Sequence, residues 1–133
     1  MKKSFKANIR ELKHVTSFLH DEISRYVDKK NLMLISVSVE EIFVNILKYA
    51  YKNKGACVDI TIAVNETERR IAITFEDSGI PFNPLNKKDP DTTAPASQRK
   101  IGGLGIFITK KVMDQIEYAH QDGKNILTLY KNY

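Results

Sequence analysis

Residues 40–51 read EEIFVNILKYAY, and their spacing predicts a helix that is apolar almost all round. Val39, Ile42, Phe43, Ile46, Leu47 and Ala50 supply its buried faces. Glu41 and Asn45 are set into that surface as an i, i+4 pair, so they project from one side. Sinking a carboxylate and an amide into an apolar helix without partners is unfavourable. Two explanations stand at this point. The pair is a polar rim where the helix meets solvent, or it is a site in which the carboxylate takes a proton and the amide oxygen holds a metal.

Outward toward the N-terminus, residues 4–9 alternate Phe5, Ala7 and Ile9 with polar neighbours, which predicts a short strand. Residues 11–29 carry Leu12, Val15, Phe18, Leu19, Ile23, Tyr26 and Val27 at helical intervals, the mark of an amphipathic helix. Asn31 is the expected cap of the central helix, which should run from about 32 to 52 and end at Asn53-Lys54-Gly55. Outward toward the C-terminus, residues 57–64 (CVDITIAV) and 70–76 alternate around a polar turn and predict an antiparallel hairpin. Cys57, opening the first of these strands, reads as a small core residue. Residues 77–84, DSGIPFNP, break the pattern. Residues 86–100 hold two prolines and no period; a loop of about fifteen residues inside a compact domain is usually a functional lid or a disordered linker, and since ordered elements follow it a lid is expected. IGGLG at 101–105 runs into a helix at 106–113. Strands at 115–120 and 125–130 flank Asp122-Gly123, a strong hairpin-turn dipeptide.

The predicted order is β-α-α-β-β-lid-α-β-β. It implies an α+β two-layer sandwich: a mostly antiparallel sheet covered on one face by three helices. One domain over 1–133 accommodates it, with the lid at about 86–101.

The 133 residues are 42% apolar, enough for one real core. The net charge of +5 comes from scattered lysines and arginines. No basic run marks a nucleic-acid surface. No signal peptide is visible, no apolar run nears the ~20 residues of a membrane span, and the single cysteine fits a reducing compartment. A cytoplasmic protein is expected.

Two further motifs bear on the Glu41–Asn45 pair. At the end of a strand, Asp77-Ser78-Gly79 places a carboxylate able to accept from an exocyclic amine, beside a glycine that lets a flat ring approach the backbone. Alone, the pattern is also an ordinary turn. Gly102-Gly103-Leu104-Gly105 opens a helix, where exposed N–H groups and the helix dipole favour a phosphate. A glycine-rich hinge for the lid is the other explanation, and the two are compatible.

Together and in this order, Glu-x-x-x-Asn on a helix, Asp-x-Gly at a strand end, a lid and Gly-Leu-Gly at a helix start resemble the Bergerat nucleotide-binding fold of the GHKL ATPases. VEEIFVNILKYAY, DSGIPFNPL and GGLGIFITKKVMD look most like the anti-sigma factor serine-protein kinases of the RsbW type. The resemblance implies ATP and Mg²⁺ as cofactors. It makes Asn45 the Mg²⁺ ligand, Asp77 the partner of the adenine amino group and Gly79 a shaper of the adenine pocket. Gly103 and Gly105 would cradle phosphates, and Pro81, Phe82, Lys100, Gly102 and Leu104 join the nucleotide-binding set. Glu41 would be the general base, with Arg99 adding charge stabilisation from the lid. Two positions depart from the family pattern: Tyr49 stands where a His is frequent, and Ile101 where an Arg is common.

The resemblance further implies a STAS-type anti-anti-sigma partner that is phosphorylated on serine, a sigma factor as second partner, and a homodimer. Against this kinase stands an ATP-gated binding module that sequesters a partner without transferring phosphate. Glu41 favours the kinase, and Ile101 the module. His20-Asp21-Glu22 resembles a phosphoacceptor box only faintly, and His20 is expected as a surface histidine.

Overall fold

The computed structural model describes residues 1–51, 56–86 and 104–133. The chain runs β1 (Lys2–Lys6), α1 (Leu12–Ile23), α2 (Lys29–Asn45), β2 (Cys57–Asn65), β3 (Arg70–Asp77), α3 (Leu104–Val112), β4 (Gln115–Gln121) and β5 (Lys124–Asn132). This is the predicted order. The strands form one five-stranded sheet, β1-β2-β3-β5-β4, with every neighbouring pair antiparallel. Three helices complete the α+β sandwich. The expected lid at 86–101, the helix stop at Asn53-Lys54-Gly55, and Ile101, Gly102 and Gly103 lie outside the described residues, apart from Asn86 at the end of a short turn, Pro84–Asn86.

Strand parity builds the core. Val58, Ile60 and Ile62 of β2, Ile71, Ile73 and Phe75 of β3, and Leu127 and Leu129 of β5 all point to one face and are buried. Val15, Phe18, Leu19 and Ile23 of α1 and Ile35, Val39, Ile42 and Phe43 of α2 close over them. The β4–β5 hairpin turns through Asp122 (φ 53°) and Gly123 (φ 76°), since Gln121 pairs with Lys124. Two successive left-handed residues match the right-handed twist of the strands, so Asp-Gly works here as expected.

Several boundaries and burials differ from expectation. β1 stops at Lys6 rather than Ile9, and Ile9, 57% exposed, begins a tight turn instead. The helical period of α1 ends at Ile23; Tyr26 and Val27 follow in a turn and still pack against the core. Asp28, not Asn31, caps α2: its Oδ1 accepts from Asn31 N–H at 2.7 Å. An N-cap side chain satisfies an amide three residues ahead, and Asn31 is that donor. Regular α-helix ends at Asn45 and continues as a π-turn, Ile46–Ala50. Cys57 is exposed, because the parity that buries Val58 turns its neighbours to the opposite face. His20 is half-buried, sharing a 2.9 Å hydrogen bond with Ser36 Oγ across the α1–α2 seam.

Candidate functional site

Three elements meet at the C-terminal end of α2. The first is the helix itself. Asn45 is 4% exposed and donates its Nδ2 to Glu41 Oε1 at 3.3 Å. With its NH₂ turned toward Glu41, the amide points its oxygen away. That oxygen accepts from no described residue, which leaves a hard-oxygen acceptor of the kind a magnesium ion takes. Among the described residues no cluster of three His, Cys, Asp or Glu side chains could hold a metal. A site built on one amide oxygen plus phosphate oxygens fits what is present.

Immediately after Asn45 the backbone widens into the π-turn, and Tyr51 N–H reaches Ile46 O at 3.0 Å. Such turns occur often at functional positions. Here the turn delivers Tyr51 into the interior. The Tyr51 hydroxyl donates to Cys57 O at 2.7 Å and accepts from Ser78 N–H at 2.8 Å. It therefore ties the helix end to the start of β2 and to the loop after β3. Burial pushes the Tyr51 hydroxyl pKa up, so it stays protonated and able to donate.

The second element is the loop 77–86. Ala50 O, an orphan carbonyl at the helix end, accepts from Ile80 N–H at 2.9 Å. A Cβ on Gly79 would lie 2.5 Å from that same Ala50 O. Within the unliganded chain, then, Gly79 is required by the close approach of its own loop to α2; a flat ring is not needed to explain it. Phe82 stacks on Tyr49, ring centroids 4.9 Å apart and planes 22° off parallel. Pro81 is exposed and Pro84 buried.

The third element is Asp77 with the strand opposite. Asp77 is 4% exposed, and its Oδ1 accepts from Gly79 N–H and from Asn125 Nδ2, each at 2.9 Å. Its other oxygen accepts from no described residue. Burial pushes the Asp77 carboxyl above its ordinary value, while the Asn125 and Gly79 hydrogen bonds and the nearby His120 pull it down. Asn125 uses all its capacity. It donates to Asp77 and to Ile80 O (2.9 Å), and it accepts from Phe82 N–H (3.1 Å) and from the Tyr118 hydroxyl. This hub escaped the sequence, which placed Asn125 only as the first residue of the last strand. The one local hint was a polar residue at an inward position of the last strand.

Asn45, Asp77, Phe82, Tyr118 and Asn125 line one cavity floored by Ile42, Ile46 and Leu127. Its free volume is about 10 Å³, close to the ~10–15 Å³ that a single water needs. A planar ring enters only when the walls part. The wall at 81–86 is three residues of irregular backbone followed by the short turn Pro84–Asn86.

Of the expected site residues, the structure brings together Glu41, Asn45, Asp77, Gly79 and Phe82 around the end of α2, and Gly105 packs against Glu41 from the first turn of α3, which Leu104 begins. Arg99, Lys100, Gly102 and Gly103 lie outside the described residues.

Comparison with known proteins yields one family and a set of relatives. A family model described as a histidine kinase-like ATPase domain matches residues 5–131. A serine-protein kinase RsbW from Bacillus mycoides (strain KBAB4) is 29% identical over 97 residues, covering 70% of this chain and 59% of that protein. One from Bacillus cereus (strain B4264) is 30% identical over 97 residues. Another, from Bacillus cereus (strain AH187), is 29% identical over 116 residues, 84% of this chain and 66% of that protein. The chain thus spans about three fifths of the length of the first of these relatives. No helix among the described residues is long and apolar enough to cross a membrane.

Proposed function

Because this chain belongs to the histidine kinase-like ATPase domain family, we propose that it binds Mg²⁺-ATP and transfers the γ-phosphoryl group to a serine of a STAS-type partner, acting as an anti-sigma factor in a partner-switching system. The observation that carries the nucleotide site is the shared cavity of Asn45 and Asp77. Each presents an oxygen with no partner among the described residues.

ATP supplies the phosphoryl group and Mg²⁺ neutralises its charge, so the protein's task is positioning and electrostatics. Asn45 Oδ1 would ligate the metal, its NH₂ being held by Glu41. Asp77 would accept from the exocyclic amine of adenine, a contact that requires the ionised carboxylate or at least one free oxygen. Phe82 and the loop that carries it would move aside to admit the ring. Glu41, one helical turn before Asn45, would take the proton from the attacking serine hydroxyl. Gly103, Lys100 and Arg99 complete the proposal at the phosphates. A sigma factor as second partner and a homodimer are proposed on the RsbW likeness alone.

Melting of the protein with and without Mg²⁺-ATP tests the first half. At a ligand concentration 100 times Kd, binding adds about 2.7 kcal/mol, a shift of several degrees; no shift at millimolar ATP sinks the function proposed. Transfer of labelled phosphate to a STAS partner tests the second half. The alternative, an ATP-gated module that sequesters its partner, is favoured by Ile101 at a position where an arginine is common. It predicts partner capture dependent on ATP with no label transferred.

A further inference from the structure

Gly105 sits in the first turn of α3 and faces Glu41 on α2. A Cβ placed on it would lie 2.1 Å from Glu41 Cδ, 2.3 Å from Oε2 and 2.4 Å from Cγ. Real Cβ atoms essentially never approach heavy atoms below 3.0 Å. As Glu41 is placed, its side chain fills the space a methyl group at 105 would take, so that methyl would displace the Glu41 carboxylate; the atoms met are side chain and not backbone. Gly105 has no left-handed φ, so the requirement is steric.

Fully buried Thr109 donates its hydroxyl to Gly105 O at 2.8 Å, within the first turns of α3. On α2, fully buried Ser38 donates to Leu34 O at 3.0 Å. Both hydroxyls are satisfied on their own helix. Asn45 holds Oε1 of Glu41 from the other side.

We infer that Gly105 is a positioning residue for Glu41: its missing side chain is the seat that fixes the carboxylate. The claim about transfer rests on the kinase function proposed above; the claim about the seat does not.

A four-protein cycle tests it: wild type, Gly105→Ala, Glu41→Ala and the double variant. Alanine at 41 lacks Cγ, Cδ and Oε2, so it empties the seat. Gly105→Ala should lower Tm more in the wild-type background than on Glu41→Ala, where the loss should be under ~1 °C. With saturating Mg²⁺-ATP and a STAS partner, Gly105→Ala should lose ~10²-fold or more in transfer rate while ATP affinity changes less than ~3-fold. Additive melting losses would overturn the seat. Coupled melting with an unchanged transfer rate, or with ATP affinity falling as far as the rate, would overturn the positioning role. If wild type binds no ATP, the proposed function fails while the melting cycle still decides the seat.

Discussion

Asn125 on β5 stands directly opposite Asp77 on β3 in the strand register and donates its amide to Asp77 Oδ1 at 2.9 Å. Both are buried. This pair places the one carboxylate of the cavity and holds one of its oxygens, leaving the other for a ligand. Desolvation outweighs the Asn125 and Gly79 hydrogen bonds and nearby His120 and makes the ionised form unfavourable, so the site carries a standing cost in stability.

Asp77→Asn should show that cost directly. The folded carboxyl titrates above its ordinary 3.8, so its contribution to stability is present below 3.8 and is lost as pH rises through the raised folded value. The asparagine variant has no such loss. In urea unfolding, variant and wild type should match near the ordinary carboxylate value, and the variant should be the more stable at about pH 7. A variant that is less stable than wild type at about pH 7 contradicts the account. ATP-dependent stabilisation should disappear in the same variant.

Asn125→Ala removes the donor to buried Asp77 Oδ1 and to Ile80 O, and the acceptor of the Tyr118 hydroxyl. Loss of a partner by a buried polar group costs ~1–3 kcal/mol, so the variant should be clearly less stable than wild type. Denaturation midpoints compared with those of exposed-site controls such as Asp122→Ala measure this.

Tyr51→Phe keeps the ring and deletes the hydroxyl that joins Cys57 O to Ser78 N–H. A loss of ~1–3 kcal/mol is expected, together with faster amide exchange at Ser78 than in wild type. Unchanged exchange there would show that the loop does not depend on this bridge.

Gly79→Ala forces a methyl group against Ala50 O, where only 2.5 Å is available. Overpacking of this kind costs ~1–3 kcal/mol. Because the clash lies between the loop and α2, the effect should appear in Tm without any nucleotide present. If Gly79 served the ring of a ligand alone, melting of the free protein would be unaffected.

Asn45→Ala removes the amide oxygen proposed for Mg²⁺ and the donor to Glu41. Stabilisation by ATP should then become insensitive to Mg²⁺. Melting with ATP plus Mg²⁺ against ATP plus a chelator gives the comparison, and a metal-dependent shift that persists in the variant assigns the metal elsewhere.

The sequence by itself determined the elements and their order. Periods of two and near three and a half are local properties, and they mark every strand and helix from Lys2 to Asn132 within a few residues. Asp122-Gly123 determined its own hairpin, because left-handed backbone favours those residues wherever they stand. The Glu41–Asn45 hydrogen bond was likewise legible, being one helical turn long. Boundaries were less so: α1 ends before Tyr26 and Val27, whose apolar side chains reach the core from a turn. Only the tertiary structure decided what meets across the fold. Strand parity sent Cys57 outward, and helix pairing drew His20 inward to Ser36. Register put Asn125 against Asp77, forty-eight positions away in the chain. Close approach of backbones made Gly79 answer to Ala50 and Gly105 to Glu41. Such contacts arise when separate elements are packed at crystal-like density, where a single methyl group is felt, and no local pattern of residues records them.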